Sequence, residues 1–119
     1  MTARIIIPSA HVNAVGLVLS LREIGWEGPV TCLKRKPQQL PVTARFPGLC
    51  DTEYVELEQA ADLPARLRER FPHEDLSILM TDERFLGVFR GHEGMDTFRG
   101  AGPLTETVVH KLKFYRFIQ

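Results

Sequence analysis

Three isoleucines in a row, Ile5, Ile6 and Ile7, stand between Arg4 and Pro8, and the chain then passes through Ser9, Ala10, His11, Val12, Asn13 and Ala14. A β-branched apolar block of this length has the form of a strand buried on both faces, and proline withdraws a backbone donor where the strand must stop. A helical pattern begins at once. Val12, Val15, Leu17, Val18, Leu19, Leu21 and Ile24 cover more than one face, as in a helix wedged between a sheet and other elements. Gly25 suits the left-handed position after a helix, and Gly28-Pro29 turns the chain into a second apolar run at 30–33. The result is a β-α-β unit. Such crossovers are right-handed in nearly all cases, so the first two strands are predicted to be parallel neighbours. In an open parallel sheet ligands collect at the carboxyl edge, where helix amino termini present free N–H groups, and residues 9–13 fall there.

Beyond this unit the periodicity lapses. Pro37, Pro41 and Pro47 mark 34–49 as a long surface loop. A short extended piece is predicted at 53–57, and an amphipathic helix at 61–71 carries Leu63, Leu67 and Phe71 on one stripe. Residues 77–80 read as another buried strand. Thr81 and Asp82 suit the cap of a helix bearing Phe85, Leu86, Val88 and Phe89, and 91–102 reads as a glycine-rich connection. Pro103, Leu104, Thr105 and Glu106 then open a last helix through Val108, Val109, Leu112, Tyr115 and Ile118. That helix meets no stop signal before Phe114-Tyr115-Arg116-Phe117-Ile118-Gln119, poor chemistry for a solvated end, so the natural polypeptide is expected to continue. Alternating strands and helices predict a single α/β domain with a mainly parallel sheet of about four strands flanked by helices. A chain of 119 residues holds one core of that kind.

Fifteen basic and fifteen acidic residues cancel, leaving no net field for a polyanion, so nucleic acid and an acidic membrane surface are disfavoured as partners. The apolar stretch around 12–21 is interrupted by Asn13, Gly16 and Ser20 and is too short for a bilayer span, and no leader pattern precedes it; the chain reads as cytoplasmic. Cys32 and Cys50 have neither redox-pair spacing nor partners for zinc. They read as two lone thiols, Cys32 buried in its apolar run and Cys50 in a loop where exposure is open to it. His73, His92 and His110 are scattered, and no metal site is expected in this chain.

Five residues are candidates for binding. Ser9, His11 and Asn13 can offer hydrogen bonds to a carboxylate or phosphate at the helix amino terminus, and the competing role for Ser9 and Asn13 is to cap that helix. Lys34, at the head of Lys34-Arg35-Lys36, lies just past the second strand and can steer an anion, although such a run is also an ordinary solvated face. Asp82 can orient an amine or simply stabilise a helix start. Residues 9–13 contain no glycine, so the G-x-G-x-x-G fingerprint of a dinucleotide-binding oxidoreductase is missing. The aromatic residues Phe85, Phe89, Phe114, Tyr115 and Phe117 suit a core or an interface better than a base-stacking surface.

The run Ile5-Ile6-Ile7-Pro8-Ser9-Ala10-His11-Val12-Asn13-Ala14-Val15-Gly16, with Ser20-Leu21-Arg22 and Gly25 after it, is joined by Tyr54-Val55, Thr81-Asp82-Glu83 and Pro103-Leu104 leading to Lys113-Phe114. In that order and spacing the chain resembles, over its whole length, the amino-terminal or pre-ATP-grasp domain of ATP-grasp carboxylate-amine ligases, particularly the carbamoyl-phosphate-synthase-like ones. Leu112 stands where that family commonly has an aspartate before the lysine. The resemblance implies a Rossmann-like domain over 1–102 and, over 103–119, a helix leading into a missing ATP-grasp domain. It implies that ATP and Mg2+ are bound by the parent enzyme, mainly through those missing lobes, and that this chain holds no cofactor and is not catalytic alone. The implied partners are the carboxyl-terminal lobes and a small carboxylate or amine substrate, with the aromatic carboxyl terminus docking the lobes or a second copy of the chain. A stand-alone regulatory module that binds a small anion or nucleotide is the alternative.

Overall fold

Ile5, Ile6 and Ile7 are each at most 1% exposed, and they point alternately to opposite sides of the central strand of a five-stranded parallel sheet. A computed structural model describes residues 2–34, 41–80, 85 and 87–99. The strands are β1 (Thr2–Ile7), β2 (Val30–Lys34), β3 (Asp51–Tyr54), β4 (Glu74–Met80) and β5 (Met95–Arg99), in the order β3-β2-β1-β4-β5. Among the described residues two helices flank it, α1 (Val12–Glu23) after β1 and α2 (Leu63–Arg70) before β4. The domain is therefore α/β and Rossmann-like, with five strands where about four were expected.

Two cores follow from the pleat. Ile5 and Ile7 join Ala14, Val18 and Leu21 of α1 with Trp26, Val30, Cys32 and Cys50. Ile6 faces the other way, with Leu33, Leu63, Leu67, Phe71, Leu76 and Ile78. A strand that buries both faces has to be apolar throughout. Each isoleucine removed from water in this way contributes about 1.5–3 kcal/mol.

The two ends of α1 are built differently. At its carboxyl end the Gly25 amide bonds the Arg22 carbonyl at 3.1 Å and the Trp26 amide bonds the Leu21 carbonyl at 2.9 Å, a Schellman closure. It depends on Gly25, whose φ of 98° is accessible to glycine and strained for other residues. Leu21 and Trp26 then pack in the same core, the hydrophobic contact that goes with this motif. The Arg22 guanidinium binds three backbone carbonyls: Trp26 at 2.9 Å, Gly28 at 2.8 Å and Leu49 at 2.6 Å. One side chain thereby holds the end of α1, the turn into β2 and the approach to β3.

Several expectations need correction. Cys50 is buried, not open to solvent. β3 spans Asp51–Tyr54, short of the predicted 53–57. Val55 and Leu57 are apolar but follow the strand as irregular chain against the α2-side core. The helix at 61–71 is shorter than predicted, with a 3-10 turn over Ala60–Asp62 before α2, while Leu63, Leu67 and Phe71 are buried as the stripe required. The loop 34–49 contains a 3-10 turn at Val42–Arg45. Of the helix expected to start at Thr81 and Asp82 and to carry Phe85, Leu86, Val88 and Phe89, residues 81–84 and 86 lie outside the described residues, and Phe85 sits in a 3-10 turn. Residues 87–91 form turns, and Gly87 at φ 77° is incompatible with a right-handed helix there, yet Phe85 and Phe89 are buried. The connection 91–102 contains β5, which pairs in parallel with β4 from Met95 opposite Leu76 to Arg99 opposite Met80. The last helix, 103–119, lies outside the described residues.

Candidate functional site

The order β3-β2-β1-β4-β5 reverses at β1: the chain leaves it for β2 and β3 on one side and returns through α2 to β4 on the other. Crossovers running in opposite directions put α1 and α2 on opposite faces of the sheet and open a crevice outside the carboxyl ends of β1 and β4. Residues 8–11 leave β1 into that crevice, and α1 starts beside it.

His11 occupies the cap position of α1 with extended backbone, φ −89° and ψ −173°, and provides no side-chain cap. Ser9 accepts no amide of the helix itself, whereas Asn13 takes one from within the first turn. The Ser9 hydroxyl accepts the His11 amide at 3.3 Å and donates to Asn13 Oδ1 at 3.3 Å. That oxygen also accepts the Ala14 amide at 3.0 Å. Ser9 and Asn13 thus brace each other across the first turn. The Val12 and Asn13 main-chain N–H groups and the Asn13 side-chain amide have no acceptor among the described residues. His11 and Asn13 are exposed and Ser9 is half-buried. Unpaired donors on a helix's first turn, where the dipole places roughly half a positive charge, are suited to a carboxylate or phosphate.

Lys34 closes β2 at the same edge, opposite Tyr54 of β3, and its carbonyl accepts the Val55 amide at 3.1 Å. The structure thus joins Ser9, His11 and Asn13 in one turn and places Lys34 on the adjacent strand end. Asp82 follows β4 and lies outside the described residues, as do Arg35 and Lys36. The 3-10 turn Val42–Arg45 supports this edge: the Thr43 amide bonds the Ala10 carbonyl at 3.3 Å and its hydroxyl meets that of Thr52 in β3 at 2.8 Å.

A second concavity, of about 580 Å³, opens at the opposite, amino edge of the sheet on the α2 side. Sequence reading missed it. Arg4 lies in it, 16% exposed at the side chain, with a two-pronged bond to Glu74 at 2.7 and 3.2 Å and a third to Thr31 Oγ1 at 2.9 Å. Its guanidinium lies 4.3 Å from the Phe71 ring centre. Arg70 pairs with Glu53 at 2.7 Å across the same groove. The one available signal was a cation at the head of an apolar strand, and its partners come from three other strands, which spacing cannot reveal. Its charges are spent on each other, so this groove is primarily a brace between strands. Among the described residues no three His, Cys, Asp or Glu side chains are grouped to hold a metal ion, and no helix is long and apolar enough to cross a membrane.

No family model, curated protein or solved structure matches this chain.

Proposed function

We propose that this chain is the amino-terminal, substrate-side domain of a cytoplasmic ATP-dependent carboxylate-amine ligase that works through an acyl-phosphate. In this reading the turn with Ser9, His11 and Asn13 receives an anionic group of the acceptor substrate, and Lys34 adds attraction from the neighbouring strand. The observation that carries it is the reversal of strand order at β1, which sets that turn and the amino terminus of α1 in the crevice where such sheets bind ligands. The resemblance in order and spacing of the segments around Ile5-Ile6-Ile7, Tyr54-Val55 and Thr81-Asp82-Glu83 supplies the reaction class. ATP and Mg2+ belong to lobes beyond this chain, and this chain's part is to bind and orient.

The purified 119-residue chain is expected to turn over no ATP and to bind inorganic phosphate weakly, with amide shifts in nuclear magnetic resonance centred on Val12 and Asn13. Asn13→Ala should weaken that binding several-fold. Sustained ATP hydrolysis by the purified chain would exclude the ligase-domain reading. Phosphate-induced shifts located elsewhere would exclude the site. The alternative, a regulatory module binding a small anion or nucleotide, draws on the same unpaired donors, and it gains if the native protein in its source cells has the 13.5 kDa mass of this chain.

A further inference from the structure

The only two cysteines of the chain, Cys32 and Cys50, meet inside the α1-side core. Cys32 is the middle residue of β2 and Cys50 immediately precedes β3. Thr31 pairs with Asp51 and Cys32 with Thr52, so parallel register carries Cys50 to a position diagonal to Cys32. Their sulfurs lie 3.9 Å apart, with the Cys32 thiol donating to Cys50. This exceeds a disulfide bond length by only about 2 Å. Isolated buried cysteines commonly serve as small apolar fillers. Two in sulfur contact, on adjoining segments and with no third cysteine to compete, have a further reaction open to them.

Access is unequal. Cys32 is fully buried, whereas Cys50 is 9% exposed and sits at the end of the approach that Arg22 anchors through the Leu49 carbonyl. We propose that the pair is a reversible oxidation site, in which a hydroperoxide oxidises Cys50 and Cys32 resolves the product into an intramolecular disulfide tying β3 to β2. In the first step the Cys50 thiolate attacks one peroxide oxygen. An S–O bond forms, the O–O bond breaks, and the departing hydroxide takes up a proton as water, leaving a sulfenic acid. In the second step the Cys32 sulfur attacks the Cys50 sulfur, and the hydroxyl leaves as a second water with the Cys32 proton. The two thiols lose two electrons and two protons, and the peroxide gains them.

Burial raises both thiols above their ordinary range; at Cys50 the hydrogen bond from the Cys32 thiol offsets this in part, Asp51 adds to it, and the Arg22 guanidinium lowers it slightly. The thiolate is scarce at neutral pH, so the reaction is slow compared with that of an exposed sensor cysteine. The disulfide closes 33–49 into a loop. It also fixes the start of a strand whose Thr52 hydroxyl reaches, through Thr43, to Ala10 beside the candidate anion turn.

The test uses the full reduced chain, treated with hydrogen peroxide near neutral pH and analysed by intact mass, peptide mapping and thermal melting. The expected product has lost two hydrogens, contains a Cys32–Cys50 crosslink, regains both thiols in dithiothreitol and melts cooperatively about 5–15 °C higher than the reduced chain. Cys32→Ser is expected to accumulate a sulfenic acid at Cys50 that dimedone traps. Accumulation of two or three oxygens on Cys50 in the unsubstituted chain would overturn the proposal. So would a crosslink confined to dimers, or one formed only with loss of the cooperative melt. The unsubstituted chain decides the matter even if the variant fails to fold.

Discussion

Replacing Arg22 by methionine keeps the aliphatic stem and removes the guanidinium that binds the Trp26, Gly28 and Leu49 carbonyls. A hydrogen bond to a charged donor contributes roughly 1.5–3 kcal/mol, which would make the full set about 4.5–9 kcal/mol if none of the acceptors found water afterwards. Gly28 and Leu49 are only half-buried and can rehydrate, whereas Trp26 is 2% exposed. The expected loss is therefore about 2–4 kcal/mol, a large share of the ~5–15 kcal/mol that holds a domain together. Trp26 is the only tryptophan, so urea unfolding followed by its fluorescence reports from the affected turn. Arg22→Lys, with one compact ammonium in place of a planar fork, should recover less than half of the loss. Amide hydrogen exchange should accelerate at Leu49 and Cys50 well before global unfolding. A loss under about 0.5 kcal/mol for Arg22→Met would refute the view that this side chain joins three segments.

Gly28→Ala would place a Cβ 2.5 Å from the Trp26 ring, and a rigid indole in a packed core gives way poorly; we expect a loss of about 1–3 kcal/mol and a shifted fluorescence maximum. Glu74→Ala leaves the Arg4 guanidinium without its two-pronged partner and should cost about 2–4 kcal/mol in urea unfolding, while the double replacement Arg4→Met, Glu74→Leu should return to within about 1 kcal/mol of the unsubstituted chain. Burial raises the Cys32 thiol above the 9.0 of a free thiol, so the unfolded chain gives up that proton first as pH increases. Stability should therefore be unaffected below about pH 8 and fall above about pH 9, by up to roughly 1.4 kcal/mol per pH unit for each such thiol. Urea titrations from neutral to alkaline pH should show a shallower decline for Cys32→Ala than for the unsubstituted chain.

Local signals located the β-α-β unit well because each decision there agrees with the fold. The isoleucines demand burial on two faces, Gly25 is the residue the helix end requires, and Gly28-Pro29 turns where β2 must begin. Elsewhere local preference and tertiary context part company. Val55 and Leu57 have strand-like composition, but they follow the last residue of β3, Tyr54, as irregular chain and find their apolar neighbours in the α2-side core. β5 was illegible because Asp96 and Thr97 interrupt the apolar pattern between glycines, and its existence depends on pairing with β4. Ser9, His11 and Asn13 were legible as a group, since all three belong to one turn. Their individual roles were not: Ser9 and Asn13 satisfy each other, which leaves the cap position to His11. The contact between Cys32 and Cys50 depends on the register of β2 against β3, a quantity that no spacing in the sequence encodes.

Every ladder in the sheet is parallel, and β1, the first strand of the chain, lies at its centre. Its inner neighbours are remote in sequence, with Ile5 opposite Val30 on one side and Thr2 opposite Glu74 on the other. Contact order is correspondingly high, and loop-closure entropy is lost before the pairings that reward it can form. On the ribosome the three isoleucines emerge before both of their neighbours, can be covered on one side once β2 is made, and wait for β4 on the other. Nascent chains arrested between these points would display an apolar strand with an open edge, the form most prone to aggregate and most in need of a chaperone.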